Sequence, residues 1–175
     1  METLTAKKMK EAFRQLDGLI PKRVSLLVGG GGAMLLAYDY PLSTTDVDAI
    51  PKGMSMEELK PLIEKIAADL SLAPDWLNPW FGSFTHVLRP DYDGYVVEVF
   101  QGRRLRVVAL GKEDLLLMKC FAHREKDIRH ARALVRAGAK ISEVEKRIAQ
   151  LVKAKVPGTA EAADFLDQIM DMEEG

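Results

Sequence analysis

The 175-residue sequence predicts a mixed α/β (α+β) fold, in which helices flank a small mixed β-sheet and a C-terminal helical cluster follows. Two observations support this prediction. Short β-prone runs bounded by glycine or proline occupy much of the first 110 residues. Beyond Gly111, apolar residues recur at helical spacing instead. We therefore expect a core over residues 1–110 and a helical part over residues 111–175.

Each element follows from a local pattern. An apolar face predicts a first helix over residues 3–17, and Ser55, a suitable N-cap, predicts a second one that runs to Leu70. A loop rich in Pro, Trp and Gly is expected over residues 71–83. The predicted strands cover residues 24–28, 47–50, 84–88, 95–100 and 105–110. The C-terminal helices are predicted over residues 112–122, 125–137, 142–154 and 159–171, with breaks at Gly138 and at Pro157-Gly158.

The composition limits the class of protein. The longest apolar runs fall short of the roughly 18 residues that a membrane span needs, and the polar N-terminal residues do not resemble a secretory signal. Cys120 is the only cysteine, which excludes an internal disulfide and favours a reducing cytoplasm. Its apolar surroundings predict a buried side chain rather than a nucleophile. We expect a cytoplasmic protein without membrane contact.

Charge is distributed unevenly along the chain. The formal net charge is −1, but residues 101–155 contain 15 Lys or Arg against 6 Asp or Glu. A basic half suits a polyanionic partner such as a nucleotide or RNA. The alternative is an ordinary solvated helix surface.

The most informative motif is the glycine run Gly29–Gly32, followed by Asp46 and Asp48. Glycines between a strand and a helix bring backbone N–H groups close to phosphate oxygens. Alternate residues of a strand project from one face, so the two carboxylates form an oxygen-rich site that suits Mg²⁺. The motif predicts a metal–triphosphate site. The alternative is a flexible glycine turn or linker, with Asp46 as a helix or turn cap and Asp48 as a solvated strand end.

Glu98 is the third candidate carboxylate. It lies in an apolar strand, where a charge is unfavourable unless it meets a metal or a cation. Beside Asp46 and Asp48 it would complete a three-carboxylate cluster able to hold two divalent ions. A solvent-facing strand residue is the alternative.

These residues resemble the DNA-polymerase-β-type nucleotidyltransferase superfamily, and most closely its compact bacterial group around the AbiEii-type toxins. The similarity rests on the glycine run, the short helix Ala33–Ala37, Thr44 and the two aspartates. It continues in Lys119–Asp127, which is similar to the family's helical Lys-x-x-Ala-x-Arg-x-x-Asp stretch. The resemblance covers roughly residues 20–137.

The resemblance implies a nucleotidyltransferase fold and a reaction that moves NMP from an NTP, such as ATP, to a hydroxyl group, with two Mg²⁺ ions. An RNA or tRNA end, or a protein side chain, would be the acceptor. The protein would be a toxin of a toxin–antitoxin or phage-defence system, with an antitoxin partner. The implied catalytic residues are Asp46, Asp48, Glu98 and Lys119, of which the three carboxylates bind metal. The implied nucleotide-binding residues are Gly30, Gly31, Gly32, Thr44, Thr45, Lys119, Arg124 and Asp127.

The sequence also departs from the family pattern. Leu42 replaces an arginine that often precedes the Thr, and His130 replaces a second acidic residue after Asp127. These departures leave two alternatives open: a non-catalytic nucleotide-binding or interaction domain, and a nucleotidyltransferase for a small molecule such as an antibiotic. Locally, Arg124 and Asp127 could instead form a helix-surface ion pair.

Overall fold

The structure, a computed structural model, describes residues 3–175, and the chain in it divides into two compact units. The first unit comprises the chain up to Ser83 together with Val96–Leu110. The second comprises Phe84–Tyr95 and Gly111–Gly175. The longer stretch of the second unit begins at Gly111, and the shorter one, residues 84–95, precedes β4 and β5 in the chain.

The first unit contains the β-sheet. Its helices are α1 (Ala6–Leu19), α2 (Gly30–Tyr38) and α3 (Met56–Leu70), and its strands are β1 (Val24–Val28), β2 (Val47–Lys52), β3 (Leu77–Asn78), β4 (Val97–Gln101) and β5 (Leu105–Ala109). The strand order is β3-β2-β1-β5-β4. β1 is parallel to β5 and antiparallel to β2, β2 is parallel to β3, and β4 is antiparallel to β5. The predicted mixed sheet is confirmed.

An aromatic cluster fills the core of this unit. The Phe13 ring of α1 lies 6.3 Å from the ring of Trp76 and 5.8 Å from that of Phe100. The indole of Trp76 is fully buried and donates a hydrogen bond to the carbonyl of Ile63 in α3 at 3.0 Å. Burying so large a side chain stabilises the fold only if its N–H has a partner, as it has here. This anchor fixes the chain immediately before β3.

The second unit contains α4 (Lys112–Ala122), α5 (Glu125–Arg136), α6 (Ile141–Lys153) and α7 (Thr159–Glu174). α5 ends just before Gly138, and α7 begins directly after Gly158, as the sequence predicts; both glycines have positive φ. Cys120 is buried in α4, and burial raises the pKa of its thiol to about 12. The predicted burial of Cys120 is confirmed.

Two local predictions differ from the structure. Residues 84–88 are not a strand; Trp80–Val87 forms 3₁₀ turns. Arg89, just beyond, is held by Asp114 of α4, whose Oδ2 accepts a hydrogen bond from Arg89 Nη2 at 2.8 Å. This buried ion pair holds the end of the segment against α4. Residues 84–88 therefore do not pair with the β-sheet. The other difference is β3, whose two residues are too short to give a periodic signal.

Membrane insertion finds no support among the helices. In the part of the chain that the structure describes, none is both long and apolar enough to cross a membrane.

Candidate functional site

The glycine run forms the turn between β1 and α2. Gly29 precedes the helix, and its N–H donates to the carbonyl of Asp48 at 2.9 Å. Gly30 has φ of +57°, a left-handed conformation that residues with a Cβ rarely adopt. A Cβ added there would lie 3.4 Å from Asp48 Oδ2. The turn is therefore packed directly against the Asp48 carboxylate.

The outer and inner glycines of the run differ in their surroundings. Gly29 is buried under the Phe81 ring, and Gly32 is buried between Val28 and Val47. Gly30 and Gly31 are half-buried and start the helix. The first intrahelical bond runs from Ala33 N to Gly29 O, so the N–H groups of Gly30 to Gly32 have no partner within the helix. Gly30 and Gly31 are thus the best-placed members of the run to meet a phosphate.

Asp46 and Asp48 flank the fully buried Val47, and both are half-buried. This alternation is the one that the sequence predicts for a strand edge. Thr44 supports Asp46: its Oγ1 lies 3.0 Å from Asp46 Oδ1 and accepts the N–H of Asp46 at 3.3 Å. Thr44 therefore orients a carboxylate, whereas Thr45 is exposed.

Asn78 is a site residue that sequence reasoning missed. It is buried at the end of β3, and its Nδ2 donates to Asp46 Oδ2 at 3.0 Å. Its Oδ1 accepts the N–H of Trp80 at 3.2 Å. The sequence signal for Asn78 is a polar residue directly after the apolar residues Trp76 and Leu77. In the structure this segment pairs with β2.

The donor set fits one hard divalent cation. Asp46, Asp48 and the neighbouring Asn78 supply only oxygen as potential ligands, which Mg²⁺ prefers. Each oxygen of Asp46 is engaged in one hydrogen bond and keeps a lone pair for a cation. Mg²⁺ commonly takes one or two carboxylates and completes its shell with phosphates and water.

The structure does not bring Glu98 to the aspartates. Glu98 lies on β4, and β5 and β1 separate that strand from β2. Its Oε1 accepts a hydrogen bond from Arg106 Nε at 2.9 Å, and both side chains are 48% exposed. Within residues 3–175, no three His, Cys, Asp or Glu side chains are grouped to hold a metal. The predicted three-carboxylate cluster is therefore absent there, because the strand order sends Glu98 to an edge where a cross-strand arginine pairs with it.

Lys119, Arg124 and Asp127 come together in the second unit. Asp127 is fully buried, and its two oxygens lie 2.8 Å from Lys119 Nζ and 2.8 Å from Arg124 Nε. Burial raises the pKa of Asp127, but the two cations outweigh it and hold that pKa below its usual value. Burial also lowers the pKa of Lys119, and Asp127 offsets only part of that effect. The ion pair between Arg124 and Asp127 is present, and a role of this cluster toward a nucleotide stays a prediction.

Part of the basic helical surface is neutralised internally. Arg132 and Arg136 of α5 both bind Glu173 of α7, with Arg136 Nε 2.8 Å from Glu173 Oε2. These two arginines thus stabilise helix packing. The excess of positive charge over residues 101–155 is therefore a weaker argument for RNA binding than the count suggests.

The loop aromatics divide into two groups. Trp76 and Phe81 are buried anchors, whereas Trp80 is 61% exposed. The backbone N–H of Trp80 donates to the side chain of Asn78, which in turn donates to Asp46. Trp80 is thus the exposed aromatic side chain next to the candidate site.

Comparison with known proteins gives one family match. No curated protein and no solved structure shows significant similarity to the chain. A family model described as "Nucleotidyltransferase of unknown function (DUF6036)" matches residues 7–173, nearly the whole length. The chain therefore belongs to this family of nucleotidyltransferases of unknown function.

Proposed function

We propose that the protein is a Mg²⁺-dependent nucleotidyltransferase that moves NMP from an NTP to a hydroxyl acceptor. The observation that carries this proposal is the contact of the glycine turn with Asp48, beside Asp46. It brings the first turn of α2, whose N–H groups have no partner within the helix, against the Asp48 carboxylate, and Asp46 lies two residues before Asp48. A triphosphate and its cation need these two kinds of group at one place.

The division of labour follows from the geometry. Gly30 and Gly31 would bind phosphate oxygens through their N–H groups at the positive end of α2. Asp46 and Asp48 would hold Mg²⁺, which neutralises charge on the phosphates and orients them when bound. Asn78 and Thr44 keep Asp46 in one orientation. In the reaction the acceptor oxygen would form a bond to the α-phosphorus, the bond from that phosphorus to the pyrophosphate oxygen would break, and the hydroxyl proton would pass to solvent.

The acceptor and the biological role are the finer parts of the proposal. Resemblance to the AbiEii-type toxins favours an RNA end, tRNA in particular, or a protein side chain as acceptor. A toxin of this kind would have an antitoxin encoded beside it, and co-expression of that neighbour would relieve growth inhibition. Two Mg²⁺ ions, as the resemblance implies, would need ligands beyond the two aspartates, which substrate phosphates could supply.

The decisive experiment measures transfer of labelled NMP. Purified protein is incubated with Mg²⁺, each α-labelled NTP and either total tRNA or cell lysate. We expect transfer by the wild type and its loss in the double variant Asp46→Asn/Asp48→Asn. Glu98→Gln is the matched control, since its carboxylate lies on a different strand and pairs with Arg106. Transfer that persists in the double aspartate variant would overturn the metal assignment.

A second candidate is a non-catalytic nucleotide-binding domain. Two observations favour it. No third carboxylate from residues 3–175 joins the two aspartates, and Leu42 packs on the glycine turn, with its Cδ1 3.2 Å from a Cβ added to Gly31. NTP binding without transfer to any acceptor would support this candidate. A third candidate, transfer to an antibiotic, would show as labelled product with a small hydroxylated acceptor and none with RNA.

A further inference from the structure

A basic pocket lies in the first unit, at the ends of three neighbouring strands. It has a volume of about 420 Å³. Five cationic side chains line it, all of them exposed: Arg23, Lys52, Arg103, Arg104 and Arg106. Because like charges repel, such a group is unfavourable unless an anion or solvent separates its members. A bound anion would relieve the repulsion among all five side chains at once, which makes the pocket a candidate anion site.

Internal partners neutralise only part of this charge. Arg106 pairs with Glu98, and Arg104 Nη1 donates to the carbonyl of Ile20 at 2.9 Å. Within residues 3–175, the side chains of Arg23, Lys52 and Arg103 form no ion pair or hydrogen bond that would occupy them.

Asp17 faces the same turn but is already occupied by the backbone. Its two carboxylate oxygens accept the N–H groups of residues 103, 104 and 105 at 2.8 to 3.0 Å. These bonds hold the pKa of Asp17 below its usual value although burial opposes them. Asp17 thus fixes the β4–β5 turn through these bonds, and its charge also offsets part of that of Arg103.

The pocket lies at the opposite end of β1 from the candidate site. Arg23 precedes β1 and Lys52 pairs with Ser25, whereas Gly29 follows the far end of the strand. Five residues of strand separate the two places, about 17 Å at roughly 3.3 Å per residue. That span corresponds to about five stacked nucleotides at about 3.4 Å each. A mononucleotide bound at the candidate site does not extend to the pocket, whereas an RNA strand of about five nucleotides does.

We infer that this pocket binds the phosphate backbone of an RNA, at a distance from the site of transfer. Four of its five cations are arginines, whose planar guanidinium group bonds phosphate through two N–H groups. A lipid surface fits less well, because membrane-binding faces pair their cations with exposed apolar side chains. Here the apolar lining residue is Val24, which is 3% exposed. The assignment of this RNA as the acceptor rests on the proposed function, but the binding itself does not.

The test compares two triple charge reversals. The pocket variant is Arg23→Glu/Lys52→Glu/Arg103→Glu, and the control is Lys60→Glu/Lys146→Glu/Lys153→Glu, which changes exposed lysines outside the pocket by the same charge. Fluorescently labelled total tRNA is titrated against each protein over a range of salt concentrations. We expect the pocket variant to bind at least about 10-fold more weakly and to reduce the salt slope by about 2 to 3, as three lost phosphate contacts require. If the charge reversal impairs folding, the variant Arg23→Gln/Lys52→Gln/Arg103→Gln is used instead. We expect it to lose tRNA affinity by the same order of magnitude.

The outcomes separate this inference from the proposed function. Equal loss in the pocket variant and the control overturns it, as does wild-type protein that binds phosphatidylserine vesicles but not tRNA. NTP binding measured in parallel should be unchanged in the pocket variant. If no transfer is found but tRNA binding still depends on the pocket, the proposed function fails and this inference stands. If transfer requires Asp46 and Asp48 while the pocket variant binds tRNA normally, the proposed function stands and this inference fails.

Discussion

The side-chain amide of Asn78 donates a hydrogen bond to Asp46 Oδ2 at 3.0 Å and so orients one of the two candidate metal ligands. Partners that orient a metal ligand commonly change metal affinity or activity by about 10-fold to 100-fold when removed. We expect Asn78→Ala to weaken Mg²⁺ binding by this amount, measured as the Mg²⁺ dependence of the melting temperature with NTP present.

Asn78→Asp provides the contrasting variant. It replaces the donor by a carboxylate that repels Asp46 without metal, and we expect a larger Mg²⁺-induced stabilisation than in the wild type. Equal Mg²⁺ dependence of the wild type and both variants would contradict the assigned role.

Gly30 is the position in the turn where a side chain should be most harmful. Its φ of +57° costs a non-glycine residue about 1 to 2 kcal/mol, and the new Cβ would touch the Asp48 carboxylate. We expect Gly30→Ala to lower the free energy of unfolding by that amount in urea titrations and to weaken NTP binding. Gly18→Ala is the control: this exposed helical position has open space around it, and alanine should stabilise it by about 0.5 to 1 kcal/mol.

Trp80 is expected to stack on the base of the NTP. Removing an aromatic platform costs about 1 to 3 kcal/mol per base, so Trp80→Ala should weaken NTP binding at least about 5-fold, as measured by calorimetry. Trp80→Phe should retain most of the affinity, since it keeps an aromatic face. An NTP affinity that is the same in the alanine variant and the wild type would show that the exposed indole has another role.

The buried pair of Lys119 and Asp127 should be worth more to stability than a surface ion pair. Lys119→Met leaves Asp127 with Arg124 alone, and breaking a buried pair costs about 3 to 5 kcal/mol. In a double-mutant cycle with Asp127→Asn, we expect a coupling energy of about 1 to 3 kcal/mol in urea unfolding. Additive effects would contradict the pairing. A Lys119 variant that folds stably but loses transfer would instead support the predicted contact with nucleotide.

His130 should make the protein less stable as the solution becomes acidic. Burial, reinforced by the charge of Lys119, lowers the pKa of His130 to about 4 from an ordinary value near 6.5. Between these values the unfolded chain binds more protons than the native one, so stability falls as the pH decreases from about 6.5 to about 4. His130→Gln should flatten this part of the profile in denaturant titrations at several pH values. An unchanged slope would assign the acid sensitivity to another group.

The helices were predictable because their signals are local. α4 (Lys112–Ala122) follows the predicted bounds, and the Ser55 cap closes with Glu58 in a capping box. Apolar spacing, caps and glycine breaks depend on near neighbours in the sequence. The reverse holds for residues 84–88, where a β-prone composition is overridden by the buried pair of Arg89 and Asp114.

The turn-and-carboxylate half of the candidate site is encoded locally. The glycine run, Asp46 and Asp48 lie within 20 residues, and strand alternation alone places the two carboxylates on one face. The other polar groups that join them depend on long-range packing. Strand order carried Glu98 to a distant edge beside Arg106 and brought Asn78 to Asp46. The reason is physical: the pairing of strands far apart in sequence depends on the packing of the whole core, which no local pattern encodes.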